Sequence, residues 1–558
     1  MMVETAQHSV PLRAPETVMR LARLGAMHPS RLSFARVMLH RVAAEGWRIS
    51  RAIWRIDSAG FGCAVYRVDT PDRTYSLVAF SRMLAPEQRT DRVIAEAWDT
   101  SYVLYDGLPN EAALARLAGQ VPLQEAGRFE ATELILSRAN KSVRLFDAVV
   151  QALATGVQPS AESLEAVGYL MRTTAVYGNG KFGIADRDVI AQRPEFAGPF
   201  QAEMLTVWLI RTFTVDLCEH CARAVDPDRA VRLAPALRRE LGVGNSTGLG
   251  MAPFLVRHPA LLDGWITARE TALARVRNLA AFEPADRAGL AAALRDAHRV
   301  ARQWHTNDAV QTARIDALVS DLDQLVDAVD AVLDGAERPA DALYLWAACH
   351  LGVEAQELLV SLLIEPFGSL VDDLAQGMSV DERRSFGIDP TTTCGAFKAH
   401  IEQHYGWALE EDHDHPSAQT WFWYVSAEKL EPRLGERTKE DGAALEQPLA
   451  FGRDVARLYW ALGERPGSEP IGAIAASHAF RHVVRRVQIG ARHPYAEIRD
   501  NLIHTTMRPI DLLRCKLAFF GASQFDPRSD RWLRITLFKG MPFPDELAPT
   551  AQPRDAAA

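Results

Sequence analysis

The chain has 558 residues, 48% hydrophobic and 24% charged, a composition that excludes a disordered or membrane-embedded protein. Its 71 acidic residues outnumber 62 basic ones, for a formal net charge of -9, which gives no electrostatic basis for gripping nucleic acid or an anionic membrane. Six scattered cysteines exclude a disulfide framework and no run of 18 uninterrupted apolar residues is present, so a soluble cytoplasmic protein is expected.

Residues 1–15 are expected to form a disordered leader, because MMVETAQHSVPLRAPE lacks the apolar core of a secretory signal. Residues 16–45 place Val18, Leu21, Leu24, then Phe34, Val37, Met38 and Val42 at helical spacing, predicting two helices split near Pro29. The pattern then changes. Residues 47–57, 61–69, 74–82 and 98–106 are short, β-branched and aromatic, with Ser-Ala-Gly and Thr-Pro-Asp turn signals between the first three. They predict an antiparallel meander. From about Asn110 onward the text is helical, in amphipathic or almost wholly apolar runs such as FQAEMLTVWLIRTFTVDLCEHCARAV and RIDALVSDLDQLVDAVDAVLDG.

The predicted fold is therefore mainly α, with helical bundle domains preceded by a small N-terminal α+β domain with an antiparallel meander. At roughly 100–200 residues per domain, the chain divides into an α+β domain at 16–135, a helical domain with two Gly-rich loops at 136–338, a helical C-terminal domain at 339–541 and a disordered tail at 542–558. The breaker cluster Gly-Ala-Glu-Arg-Pro at 335–339 marks the internal boundary.

Within the second of these domains, YGNGKFG at 177–183 has G-x-G-x-x-G spacing. A dinucleotide loop of that spacing needs a buried strand before it and a helix opening after it. The preceding text, ESLEAVGYLMRTTAVY, reads as helix with at most a short β-branched end, so the βαβ frame is expected to be missing. What remains is a glycine-bent interhelical loop in which Tyr177, Asn179 and Lys181, with Arg187 beyond, offer donors and positive charge to an anion. LGVGNSTGLG at 241–250 sets glycines around Asn245, Ser246 and Thr247 and predicts a second loop of exposed backbone donors, without the residue order of a P-loop. Two such loops in one helical domain are expected to converge on one ligand.

Further on, His400 and His404 stand one turn apart on a predicted helix, a spacing that can chelate a divalent ion, with Glu402 on another face and His413 and His415 in the acidic run beyond. His478 and His482 repeat the spacing with no acid close by in the sequence. Asp500, His504 and Arg508 follow at successive i, i+4 steps. On a helix these three form either an Asp-oriented general base beside an anion clamp or a plain ion-pair ladder. Cys218 and Cys221 make a lone CxxC in an apolar helix and are expected to pack as small hydrophobes.

These features predict a cytosolic enzyme acting on a small anionic metabolite, a carboxylate or phosphate, by general acid/base chemistry in an interdomain cleft. Its catalytic groups would be His504, Asp500 and Lys181, with Tyr177, Asn179, Arg187, Asn245, Ser246, Thr247 and Arg508 holding the ligand. Two alternatives stay open. One is a metal-dependent enzyme built on His400 and His404, with a divalent metal, iron or zinc, as its cofactor; the other is a non-catalytic helical scaffold or binding protein. The expected partner is a small anionic molecule, neither nucleic acid nor membrane, and a homo-oligomer is left open.

Overall fold

The computed structural model describes residues 10–83, 97–123, 130–173, 190, 192–196, 200–248, 259–378, 386–410, 412, 418–419, 421–425, 430–434, 447–448, 451–477, 480–499, 503–504, 510–529 and 532–547. The chain forms two compact units, each discontinuous in sequence. A helical unit comprises Met1–Leu32, Gly248–Phe519 and Pro527–Leu533, and a sheet unit comprises Ser33–Thr247, Phe520–Asp526 and Arg534–Ala558. Helices of nine residues or more are numbered in chain order: α1 Phe34–Ala44, α2 Glu111–Gln120, α3 Phe146–Ala154, α4 Gln201–Val225, α5 Pro259–Arg277, α6 Pro284–Ala301, α7 Ala309–Leu333, α8 Pro339–His350, α9 Val353–Ile364, α10 Cys394–Leu409, α11 Phe451–Leu462, α12 Arg481–Arg492 and α13 Ile510–Phe520.

In the sheet unit the strands are β1 Arg48–Ile56, β2 Gly62–Asp69, β3 Thr74–Ser81, β4 Thr100–Asp106, β5 Glu133–Lys141, β6 Tyr169–Thr173 and β7 Gly242–Gly248. With β13 Ala522–Ser529 and β14 Trp532–Leu537 they form one nine-stranded sheet in the order β1-β2-β3-β4-β5-β6-β7-β14-β13. Strands β1 to β6 pair antiparallel with their neighbours, whereas β6 and β7 are parallel. The edge strand β1 is largely exposed and carries Arg48, Arg51 and Arg55, charges that discourage edge-to-edge pairing with other chains.

Both faces of the sheet's middle are covered, as burial of its apolar side chains requires. On one face Leu114, Leu117 and Val121, on and just after α2, pack on Val65, Val78, Val103 and Leu136. On the other, Phe213 of α4 meets the rings of Trp54, Tyr66 and Tyr102, at 6.1, 6.4 and 5.7 Å between centroids. Helix α4 is buried at every position from Gln201 to Val215, which is why its apolar residues do not confine themselves to one stripe.

The helical unit is built by neighbouring helices folding back on one another: α6 packs on α7, α7 on α8 and α8 on α9, with α5 against α8 and α9. Helix α7 buries Gln311, Ile315, Leu318, Leu322, Leu325, Val329 and Leu333, an amphipathic stripe, and starts where the Asp308 side chain accepts a hydrogen bond from the Gln311 N–H. A second core joins Phe397 and Ile401 of α10, Val455 and Leu458 of α11, and Val483 and Val487 of α12. Small strands also occur here: β9 Trp421–Val425 pairs with β10 Leu430–Leu434 and β11 Gln447–Pro448, and β8 Ala418–Gln419 pairs with β12 Ile503–His504. No described helix is long and apolar enough to cross a membrane.

The fold expected from the sequence is corrected on one main point. Helices dominate, but the meander is not a small N-terminal α+β domain, because its four strands continue without interruption into β5, β6, β7, β14 and β13. The cause is burial. Strand β5 is inaccessible at eight of its nine positions and β6 at all five, so neither shows the alternation of polar and apolar residues by which a half-buried strand announces itself.

Candidate functional site

The Gly-x-Gly-x-x-Gly segment lies in a different frame from the one expected. The helix Ala161–Val167 ends at Gly168, whose φ of 76° is the left-handed conformation glycine adopts at helix ends, and the chain turns straight into β6. As far as Thr173, the stretch expected to be helix with at most a short β-branched end is thus a helix, a glycine cap and a buried strand. After β6 come α4 and then β7, which runs parallel to β6 with Tyr169 opposite Gly242 and Arg172 opposite Gly244. A strand–helix–parallel strand unit is therefore present. The Gly-x-Gly-x-x-Gly segment itself, at 178–183, lies outside the described residues.

The second Gly-rich stretch is the strand β7 itself and not a loop of exposed donors. A side chain at Gly244 would lie 2.6 Å from the Tyr169 ring, and one at Gly242 would collide with the Leu537 carbonyl and the Thr536 methyl of β14. The glycines let three strands approach closely. Asn245 is buried, at 3% exposure, and its amide donates to the Thr173 carbonyl at 3.4 Å, fastening β7 to the carboxyl end of β6.

Beside these strand ends the sheet surface turns polar. Moving along β5, the side chain under α2 is Leu136, and the next two on the same face are Arg138 and Asn140. Asn140 is paired with Arg172 on β6, and Arg138 with Ser101 on β4. Asn140 Oδ1 accepts from the Asp99 N–H at 3.0 Å, and Asp99 Oδ2 accepts from the Lys141 N–H at 2.9 Å. Asp99, Ser101, Asn140 and Arg172 are all buried. Arg138 lies 4.9 Å over the Trp98 ring, and burial pushes its guanidinium down to about 10. Two guanidiniums, those of Arg138 and Arg172, thus lie on one face of the sheet beside amide and carboxylate groups.

Tyr177, Asn179, Lys181 and Arg187 lie outside the described residues, in the segment that follows Thr173. Ser246 and Thr247 belong to β7. Asp500 and Arg508 also lie outside the described residues, and His504 sits in the two-residue strand β12 opposite Ala418, so no helical i, i+4 ladder runs through it. His400 and His404 do share α10, with ring centroids 6.5 Å apart. Burial and the neighbouring His400 lower the His404 pKa, while Glu402 accepts a hydrogen bond from the Tyr459 hydroxyl at 2.7 Å. No group of three or more His, Cys, Asp or Glu able to hold a metal occurs among the described residues; His413 and His415 are outside them. His482 has an acid nearby after all, Asp454 at 3.4 Å from the preceding helix. Burial raises the thiols of Cys218 and Cys221, which makes them poor nucleophiles.

Two centres of the helical unit escaped the sequence. The Glu357 carboxylate is fully buried and accepts from Arg13, Arg269 and Arg23 at 2.7, 2.9 and 3.0 Å, while Arg13 also pairs with buried Glu270 at 2.7 Å. Burial alone would raise the Glu357 carboxyl, but Arg13, Arg269 and Arg23 overcome it and hold the group well below the usual carboxylate range. Nearby, Asp263 accepts from the Tyr495 N–H at 2.8 Å and lies 3.1 Å from His493 Nδ1. The one available sequence signal was a charge inside an otherwise apolar helix, as with Glu357 in EAQELLVSLLI. Its partners are too distant in sequence for spacing to reveal.

No known protein family, no curated protein and no solved structure matches the chain. The site therefore rests on its own geometry.

Proposed function

We propose that the chain is an enzyme that binds a small anionic metabolite, a carboxylate or phosphate, at the carboxyl ends of β6 and β7 and turns it over by acid/base chemistry. The parallel β6–α4–β7 crossover carries the reading, because ligands of α/β sheets sit outside the carboxyl ends of neighbouring parallel strands. Arg172 supplies the anion contact and Asn245 fixes the two strand ends relative to each other. Lys181 is the proton-transfer group, and Tyr177, Asn179 and Arg187 complete the ligand contacts from the segment that leaves β6. Asp500, His504 and Arg508 play no part in this assignment.

The test is a thermal-shift titration of the full chain with inorganic phosphate, succinate and citrate, on wild type, Lys181→Ala and Arg172→Lys. At 100 times its Kd a ligand stabilises by about 2.7 kcal/mol, so wild type is expected to melt several degrees higher with at least one probe and both variants to lose most of that gain. A wild type indifferent to all three probes, or variants that respond as wild type does, would overturn the proposal.

A further inference from the structure

The helical unit contains a second candidate site, independent of the first. A cleft of about 430 Å³ opens where the connection after α6 passes the first half of α7, within the size range of small-molecule sites. From α7 it is lined by Thr312, Ile315, Asp316 and Val319, which share one helix face. From the connection come Arg302 and Trp304. The Trp304 ring lies parallel to His28, within 3° and 5.3 Å between centroids. Burial, with Arg514 and Arg269 adding to it, lowers His28 to about 3, so this backing ring is neutral.

Arg302 and Asp316 bring side chains of opposite charge to the lining of the cleft. Arg302 Nη2 donates to Asp323 at 3.0 Å, while its Nε is 3.1 Å from His298 Nε2, which is itself 2.8 Å from Asp323. That single nitrogen cannot donate to the carboxylate and accept from the guanidinium at once. Nη1 makes no hydrogen bond to any described residue, so Arg302 is held in place with donors to spare. Asp316 is exposed and makes no hydrogen bond or ion pair with any described residue. Asp316 and Asp323 are seven residues apart on α7, about 10 Å along the axis. Ile315, Val319 and Trp304 supply the apolar part of the same lining.

We infer that the cleft binds a linear ω-amino acid, its carboxylate on Arg302, its ammonium on Asp316 and its methylenes along the apolar strip. An α-amino acid, with both charges on neighbouring carbons, cannot reach both ends. Isothermal titration calorimetry of the full chain with 6-aminohexanoate, hexanoate and hexylamine tests this. Wild type is expected to bind 6-aminohexanoate at least tenfold more tightly than either singly charged analogue. Asp316→Asn should abolish the preference over hexanoate, and Arg302→Gln the preference over hexylamine; both positions are exposed enough to tolerate the change. Absence of binding by 6-aminohexanoate, equal affinities for the three probes, or an unchanged preference in Asp316→Asn would overturn the assignment.

Discussion

At the scale of single residues, the helical unit is organised by charges that have been taken out of water. Glu357 accepts hydrogen bonds from guanidiniums of three separate stretches of chain, Arg13, Arg23 and Arg269. Glu357→Gln would leave those cations with Glu270 as their remaining buried acid. Breaking a buried ion pair by removing one partner costs about 3–5 kcal/mol, and a denaturant titration should show a loss of that order; a loss below 1 kcal/mol would mean the cluster is not stabilising. Lys516 behaves in the opposite way. It is fully buried on α13, and burial lowers its pKa to about 7 against the weak opposing influence of Cys515. Between about 7 and 10.5 the unfolded chain carries this proton and the folded chain does not, so stability rises with pH across that window. Below about 7 both states carry it and the cost of burying the charge is felt in full. Lys516→Met should therefore raise the Tm more at pH 7 than at pH 10, and an equal gain at both would contradict the assigned shift.

At the scale of elements, what could be read from the sequence depended on how each element meets solvent. Strands β1 to β4 alternate or carry dense β-branched and aromatic residues between turn signals, and their expected limits fall within two residues of those observed. Helices α4 and α7 were equally plain, α4 from its long apolar run and α7 from its amphipathic periodicity. Strand β7 was not, because GVGNSTG has the composition of a loop. Its glycines answer to neighbouring strands, a tertiary requirement that no local propensity encodes. Gly244→Ala tests this, since the new methyl would press on the buried Tyr169 ring. Overpacking of this kind costs about 1–3 kcal/mol. Gly119→Ala in α2, with open space around it, should instead be neutral or gain up to about 1 kcal/mol. Similar effects from the two substitutions would remove the packing explanation. The candidate site was legible in fragments: Asn245 and the 177–183 segment stand out in the sequence, whereas Asn140 and Arg138 become neighbours of Arg172 and Ser101 only through strand register.

At the scale of the whole molecule, the nine-stranded sheet is assembled from distant stretches, with β14 joining β7 only after the intervening chain has been laid down. Such non-local pairing forms slowly and leaves the β7 edge open until the C-terminal strands arrive. The same topology sets β6 and β7 side by side and parallel, with the Gly-x-Gly-x-x-Gly segment leaving from the shared end. Hydrogen-exchange mass spectrometry of the full chain, with and without saturating phosphate or succinate, tests that placement most directly. Binding at the strand ends predicts slowed exchange in peptides spanning 169–189 and 242–248, with little change in β1 and β2. Protection confined to other peptides, or no protection by either anion, would contradict it.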